Sequence, residues 1–190
     1  MEKPKSFYFY SGGADGSDTI WKKVASEYQT NFIVISFKVH SLKQSGRIIE
    51  LTPNLLKKAQ EYVERANVTL SRNLTNLSLF SLNLLRRNWY IVQNVDAVFA
   101  ITYLEENFRT CMGGTAWPVQ MAIDEGKNVF VFDMGKNKWF YFNSEENKFV
   151  EYKNGIPKLF FYSALVGARK ITDYGEKAIH DVFKITFQDI

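Results

Sequence analysis

The sequence has one cysteine and two histidines, and this scarcity excludes two kinds of site. Cys111 alone cannot form a disulfide within the chain. His40 and His180 lie far apart in sequence and lack the spacing of a metal-binding motif. The sequence therefore predicts a domain without a structural metal or an internal disulfide, as is typical of a reducing cytoplasm.

Long apolar segments and long basic segments are also missing. The apolar runs, such as the one in LFFYSAL, are too short to span a membrane, and the first twenty residues show no signal-peptide pattern. The net charge is +4 and the pI is near 9.0, but no run of five or more basic residues occurs. We therefore predict a cytoplasmic protein that does not contact a membrane, whose charge is too mild to favour binding of duplex nucleic acid and suits a small anion.

What the chain does have is enough apolar surface for one core. Its 190 residues are 46% hydrophobic and 16% aromatic, which predicts a single domain over residues 1–190. Short segments rich in β-branched and aromatic residues are the predicted strands, at 6–10, 31–37, 96–101, 128–133 and 158–165.

Amphipathic segments of helical period separate these strands. The predicted helices run from about Ile20 to Tyr28, from Thr52-Pro53 to Ala66, from Leu77 to Val95, from Thr115 to Glu125, and from Thr172 or Asp173 to Val182. This alternation predicts an α/β fold, with a mostly parallel sheet flanked by helices on both faces. Residues 139–152 break the rhythm and predict an antiparallel hairpin inserted at the sheet edge.

Several strands are followed by loops of small residues that lead into helices. Loops at the carboxyl ends of parallel strands gather on one side of the sheet, where ligands bind. Glycine lets backbone N–H groups approach a phosphate closely, and the following helix adds partial positive charge. Three loops have this character, at Ser11–Asp18, Gly113–Thr115 and 166–175, and Ser11, Thr115 and Arg169 could add side-chain donors.

The segment LLRRNWYIVQNVDAVFAI places two arginines near the middle of a helix whose other face is apolar. With the GGT that follows, this segment resembles the SLOG superfamily, which unites the DNA-processing protein A domain with the Lonely Guy phosphoribohydrolases. Arg87-Asn88, Ile91, Asp96-Ala97 and the strand VFAI match in register, and the resemblance covers roughly residues 6 to 133. SGGADGSD resembles the first nucleotide-binding turn of that fold. SALVGARKITDYGEKA is similar to the start of the DNA-processing protein A domain.

The resemblance implies a single Rossmann-like, nucleotide-binding domain that forms a homodimer and binds a nucleotide-derived small molecule. It implies no cofactor, and immune-signal nucleotides or NAD derivatives, as in conflicts between phages and bacteria, are the expected ligands. Carried over with the loops above, the candidate ligand-binding residues are Ser11, Gly12, Gly13, Asp15, Arg87, Gly113, Gly114, Thr115, Trp117, Gln120 and Arg169.

The catalytic position departs from the family pattern. Gln120 occupies the place of the phosphoribohydrolase glutamate, and an amide cannot supply the carboxylate that cleavage of an N-glycosidic bond requires. Acids that could substitute for it lie nearby: Glu105 and Glu106, Asp15, Asp18, which also fits a helix N-cap, and Asp124.

Two functions remain open from the sequence. The first is a module that senses or sequesters a nucleotide-derived molecule, and the second is a nucleotide N-glycosidase that uses Glu105, Glu106 or Asp15 as its acid. Binding is favoured, because the departure falls on the catalytic position while the phosphate-binding features remain. Binding of single-stranded DNA has less support, since the chain lacks a concentrated basic groove.

Overall fold

The computed structural model describes residues 6–38, 40 and 46–188, which form one eight-stranded sheet with helices on both faces. The strands are β1 (Tyr8–Ser11), β2 (Asn31–Phe37), β3 (Arg47–Leu51), β4 (Ala97–Thr102), β5 (Asn128–Asp133), β6 (Lys138–Asn143), β7 (Lys148–Glu151) and β8 (Tyr162–Gly167). The helices are α1 (Ser17–Glu27), α2 (Pro53–Lys58), α3 (Gln60–Leu70), α4 (Leu79–Val92), α5 (Ala116–Asp124) and α6 (Asp173–Phe187).

The strand order is β3-β2-β1-β8-β4-β5-β6-β7, and the first six of these strands are parallel. Strands β6 and β7 form an antiparallel hairpin on the β5 edge. The predicted α/β class, the mostly parallel sheet and the edge hairpin are therefore confirmed.

Each face of the sheet has its own hydrophobic core. Helices α1 and α6 cover one face, where Trp21, Phe9 and Phe183 are fully buried. Helices α2 to α5 cover the other face, where Val63, Ile91 and other aliphatic side chains pack on the sheet. No helix in the described residues is long and apolar enough to cross a bilayer.

Three details of the predicted secondary structure are wrong. Strand β3 was not predicted, because it is a short edge strand whose residues 47–50 are exposed and give no apolar run. The last strand begins at Tyr162 instead of residue 158, and the segment before it packs on α6, where Thr186 Oγ1 accepts the Leu159 N–H at 2.9 Å. The helix that Thr52 caps ends at Lys58, and α3 follows it from Gln60.

The chain order creates a crevice in the middle of the sheet. The chain leads from β1 to β2 on one side and from β4 to β5 on the other, and β8 lies between β1 and β4. The loops after β1, β8 and β4 therefore meet at the carboxyl ends of three neighbouring strands. This is the topological switch point at which open α/β sheets bind ligands.

Candidate anion-binding site

A cavity of about 370 Å³ lies at this switch point. Its lining comes from the loops after β1 and β8, from α4, from the start of α5, and from the segment that follows α3. Among the described residues, the charged side chains at its wall are three arginines and one carboxylate, namely Arg72, Arg87, Arg169 and Asp18. The excess of positive charge makes the cavity suitable for an anion.

Arg87 is the buried cation of the site. Its side chain comes from α4 and is only 7% exposed, and its Nη1 donates to the Gly12 carbonyl at 2.5 Å. Its Nε is buried and has no hydrogen-bond partner in the described structure. Burial lowers the pKa of Arg87 to about 10, and the negative charge of nearby Asp18 limits this decrease. Because a pKa of about 10 is well above 7, the guanidinium is charged at neutral pH. A buried cation with an unused donor is a natural contact for an anionic ligand.

Asp18 is the one acid among the described residues that line the cavity, and it is 5% exposed. The expectation that it caps α1 is wrong, because Gly16 takes the N-cap position with a φ of 91°. Asp18 lies inside the first turn, where its Oδ2 accepts the Ala14 N–H at 3.1 Å. Burial raises the pKa of Asp18 to about 6, although the Ala14 amide, Arg87, Ser11 and Gly12 all act to lower it.

The raised pKa of Asp18 predicts a pH-dependent stability. The folded chain holds a proton on Asp18 up to about pH 6, whereas an unfolded aspartate loses it near 3.8. The folded state is therefore penalised as pH rises between these two values, by roughly 2 to 3 kcal/mol at neutral pH. We expect Asp18→Asn to raise the free energy of unfolding of the ligand-free protein relative to wild type. This gain should be larger at pH 7.5 than at pH 4. Urea denaturation at both pH values measures this, and a difference independent of pH would contradict it.

Gly12 is constrained by its packing against Arg87. A Cβ at this position would lie 2.6 Å from Arg87 Nη2, so any larger residue pushes the guanidinium away. The sequence predicted that the Gly12 backbone cradles a phosphate. The structure shows that its missing side chain makes room for the arginine.

The loops after β1 and β8 are locked together beside the cavity. Ser17 N–H and Ser17 Oγ both donate to the Ala168 carbonyl, at 3.0 and 2.9 Å. A Cβ on Gly16 would lie 2.3 Å from the Arg169 carbonyl oxygen. The two hydrogen bonds of Ser17 and the close packing at Gly16 hold the backbone of Ala168 and Arg169 against the start of α1.

Arg72 lines the cavity and was missed by the sequence analysis. It follows α3, and its backbone N–H and carbonyl both bond to the side chain of Asn67, each at 2.9 Å. Its guanidinium donates to the carbonyls of Gly113 at 2.5 Å and Cys111 at 3.2 Å. Arg72 therefore holds the turn before α5 in place, and only its position in the folded chain reveals this.

The start of α5 also lines the cavity. Gly113 has a φ of 64°, and Cβ atoms built on Gly113 or Gly114 would meet nothing within 4 Å, so the space in front of this turn is open. Thr115 is the N-cap residue, and its side chain makes no capping hydrogen bond. The N–H groups of Ala116 and Trp117 donate to the Gly113 and Gly114 carbonyls, and this helix start contributes the partial positive charge of its N-terminus to the cavity.

Much of the remaining lining is apolar. It includes aliphatic and aromatic side chains, among them Leu74, Leu77, Leu84, Leu85 and Trp117, and the Arg72 guanidinium lies over the Trp117 ring at 5.9 Å. His40 also lines the cavity, and its ring stacks on Phe37 while its Nδ1 is 3.1 Å from Ser36 Oγ. Burial and the nearby arginines lower the pKa of His40 to about 4, so it is neutral at physiological pH.

The structure brings only some of the predicted site residues to this cavity. Those that line it are Gly12, Arg87, Gly114, Thr115, Trp117 and Arg169. Those that are not among its lining residues are Ser11, Gly13, Asp15, Gly113, Gln120, Glu105 and Glu106.

The carboxylates proposed from the sequence as catalysts lie apart from the cavity wall. Asp15 is exposed on the β1–α1 loop, and Glu106 is exposed in the loop after β4. Gln120 is buried, and its Nε2 donates to Asp124 Oδ1 at 2.7 Å. Asp18 is therefore the acid that is best placed to act on a ligand in the cavity.

A second, more open groove of about 590 Å³ lies between the edge hairpin and α6. Its two acids are already paired, Glu151 with Lys138 at 2.9 Å and Asp181 with Lys177 at 2.5 Å. No cluster of three or more metal-ligating side chains occurs among the residues that the structure describes.

Comparison with known proteins gives one informative result. No family model matches the chain, and no curated protein matches it in sequence. A similar solved structure is the crystal structure of a "putative molybdenum carrier protein" from Syntrophus aciditrophicus SB, with a TM-score of 0.51 and 14% identity over 98% of each chain. The fold is Rossmann-like. At this identity the similarity extends to the fold alone.

Proposed function

We propose that this protein binds a nucleotide-derived small molecule in the cavity at the switch point, with the ligand phosphate on Arg87. The observation that carries the proposal is the buried guanidinium of Arg87, whose Nε has no partner among the described residues. A desolvated cation with an unused donor gains most from an anion that supplies both charge and an acceptor. Arg169 and the N-terminal turn of α5 line the same cavity, and their positive charge reinforces this preference.

We place the base against the apolar side chains that line the cavity. A volume of about 370 Å³ is within the range of about 300 to 1,000 Å³ that is usual for small-molecule sites. Trp117 and the leucines of α4 belong to this apolar part of the lining. The lining therefore offers arginines for a phosphate and apolar side chains for a base.

The test is calorimetric titration of the purified protein with a panel of nucleoside monophosphates and NAD derivatives. The proposal expects saturable binding of at least one of them at one site per chain. It expects no binding of the corresponding nucleoside, because the nucleoside lacks the group that contacts Arg87. Equal affinity for a nucleoside and its monophosphate would contradict the proposed orientation.

The close packing of Gly12 against Arg87 gives a more specific prediction. We expect Gly12→Ala to weaken binding of the tightest nucleoside monophosphate by about tenfold, since the new Cβ displaces the guanidinium. In an Arg87→Ala background the same change should have little further effect, because the two substitutions then remove one interaction. Additive losses in the double variant would show that Gly12 contacts the ligand independently of Arg87.

Cleavage of the N-glycosidic bond is a second candidate, and one observation favours it. Asp18 places a carboxyl with a pKa of about 6 in the cavity, close to the value at which an acid can both donate and accept a proton near neutral pH. Incubation with nucleoside monophosphates and NAD derivatives, followed by chromatography for free base, tests it. The protein would be established as a hydrolase if wild type released base, Asp18→Asn abolished this release, and Glu106→Gln left it intact.

Similarity to other proteins supports the binding proposal without identifying the ligand. The matched structure carries the name of a molybdenum carrier, which is compatible with a small-molecule carrier role for the present fold. The SLOG-like motifs around Arg87 and Gly113 favour a nucleotide-derived ligand instead of a bare oxyanion. Membership of that superfamily and homodimerisation remain part of this proposal.

A further inference from the structure

The cavity contains a carboxylate that simple anion binding does not require. Asp18 is 5% exposed and lines the same cavity as Arg72, Arg87 and Arg169. Its contact with the Ala14 N–H fixes the carboxylate in the first turn of α1. An anion that binds to Arg87 therefore meets a buried negative group beside the arginine.

We propose that Asp18 makes this site selective for oxyanions that carry a proton, so that phosphomonoesters are accepted and fully deprotonated tetrahedral oxyanions are rejected. The inference rests on the proposed function, because it concerns the same cavity and the same contact with Arg87. It adds the class of anion: a phosphomonoester or inorganic phosphate binds, while sulfate and molybdate are excluded at neutral pH.

The physical reason is that Asp18 can only accept a hydrogen bond, so the bound oxyanion must be able to donate one. An ionised carboxylate can only accept hydrogen bonds, so it repels an oxyanion that has no proton to offer. A phosphomonoester has its second pKa near 6 and keeps a proton within easy reach of neutral pH. One proton can then lie between a phosphate oxygen and Asp18 while the other phosphate oxygens face the arginines. Sulfate and molybdate have lost both protons at this pH and cannot make that bond.

The other titratable groups around Asp18 leave it as the acceptor for that proton. Arg87 on α4, Arg169 after β8 and Arg72 after α3 are cations with no acceptor site. His40, after β2, also lines the cavity and is neutral at physiological pH. Among the described residues of the lining, Asp18 is therefore the group that shares a proton with the ligand.

The test compares anion affinities of wild type and Asp18→Asn by calorimetry at pH 7.5 and constant ionic strength. The probes are adenosine 5′-monophosphate, inorganic phosphate, sulfate and molybdate. We expect wild type to bind phosphate at least tenfold more tightly than sulfate or molybdate. Asp18→Asn should bind sulfate and molybdate at least tenfold more tightly than wild type does, so that the preference is lost. The amide can still accept the Ala14 N–H, so the loop keeps its anchor.

A matched control removes a carboxylate from the first turn of another helix. Asp173 is exposed at the start of α6, outside the cavity lining, and Asp173→Asn should retain the wild-type preference. If Asp18 only neutralised Arg87, its replacement would raise the affinity for all four anions by the same factor. That result, or wild-type protein that binds sulfate or molybdate as tightly as phosphate, would overturn the selectivity.

A proton measurement gives a second, independent readout. At pH 8 both Asp18 and a phosphomonoester are mostly ionised, so formation of the shared bond must take up close to one proton. Calorimetry of adenosine 5′-monophosphate in two buffers of different ionisation enthalpy measures this uptake. Wild type should take up a proton, and Asp18→Asn should take up much less. Phosphate binding without proton uptake would overturn the selectivity but leave the proposed function standing, whereas failure of every phosphorylated probe to bind would overturn both.

Discussion

Replacing Arg87 by alanine is expected to weaken binding of a nucleoside monophosphate by about 100-fold. The guanidinium is 7% exposed and retains a buried donor for the ligand, and hydrogen bonds between charged groups contribute about 1.5 to 3 kcal/mol. The backbone of α4 continues through this position, so the helix itself is retained. Calorimetric titration of wild type and variant measures the loss, and an unchanged affinity would remove Arg87 from the site.

The adjacent arginine provides a matched control. Arg86 has the same charge and lies on the same helix, but its side chain bonds to Gln60 at 2.8 Å and Asn83 at 3.2 Å, outside the cavity lining. Arg86→Ala should therefore leave the affinity within about twofold of wild type. Arg87→Lys keeps the charge without the forked donors and should give an intermediate loss of about tenfold. Equal losses for Arg86→Ala and Arg87→Ala would indicate a general effect of charge.

Replacing Gly16 by alanine is expected to lower the free energy of unfolding by about 3 to 5 kcal/mol. Gly16 has a φ of 91°, a conformation that L-residues rarely adopt, and this alone costs about 1 to 3 kcal/mol. The new Cβ would also lie 2.3 Å from the Arg169 carbonyl oxygen and 2.6 Å from that of Ala168, and backbone cannot swing aside as a side chain can. Urea denaturation of wild type and variant measures the change.

Gly155 separates the two causes of this destabilisation. Its φ of 87° is nearly the same, but a Cβ at this position would meet nothing within 4 Å. Gly155→Ala should therefore show the backbone strain without the clash, with a loss of about 1 kcal/mol or slightly more. If Gly16→Ala were no more harmful than Gly155→Ala, the loops after β1 and β8 would not be packed as tightly as the structure shows.

The α/β class and most strands and helices were predictable because their signals are local. Strands β2, β4 and β5 are continuous apolar segments, and Thr52 and Thr172 are conventional helix caps whose hydroxyls accept N–H groups three residues later. The central place of β8, between β1 and β4, has no local signal, because it depends on long-range pairing. That placement creates the crevice in which the cavity lies.

The candidate site was predictable only where glycine patterns or the family resemblance marked it. Arg87, Gly114 and Thr115 were identified in this way and line the cavity. Arg72 was missed because its role depends on side-chain bonds to carbonyls about 40 residues further along the chain. Asp18 was interpreted as a helix cap, since burial beside Arg87 cannot be inferred from the SGGADGSD turn alone.

The most direct test of the binding site is native mass spectrometry of wild type and Arg87→Ala with the same pool of nucleoside monophosphates and NAD derivatives. The proposed function predicts a one-to-one adduct of the wild-type chain with a phosphorylated molecule, and loss of that adduct in Arg87→Ala but not in Arg86→Ala. An adduct of equal abundance on Arg87→Ala, or no adduct of the wild-type chain with any member of the pool, would contradict it.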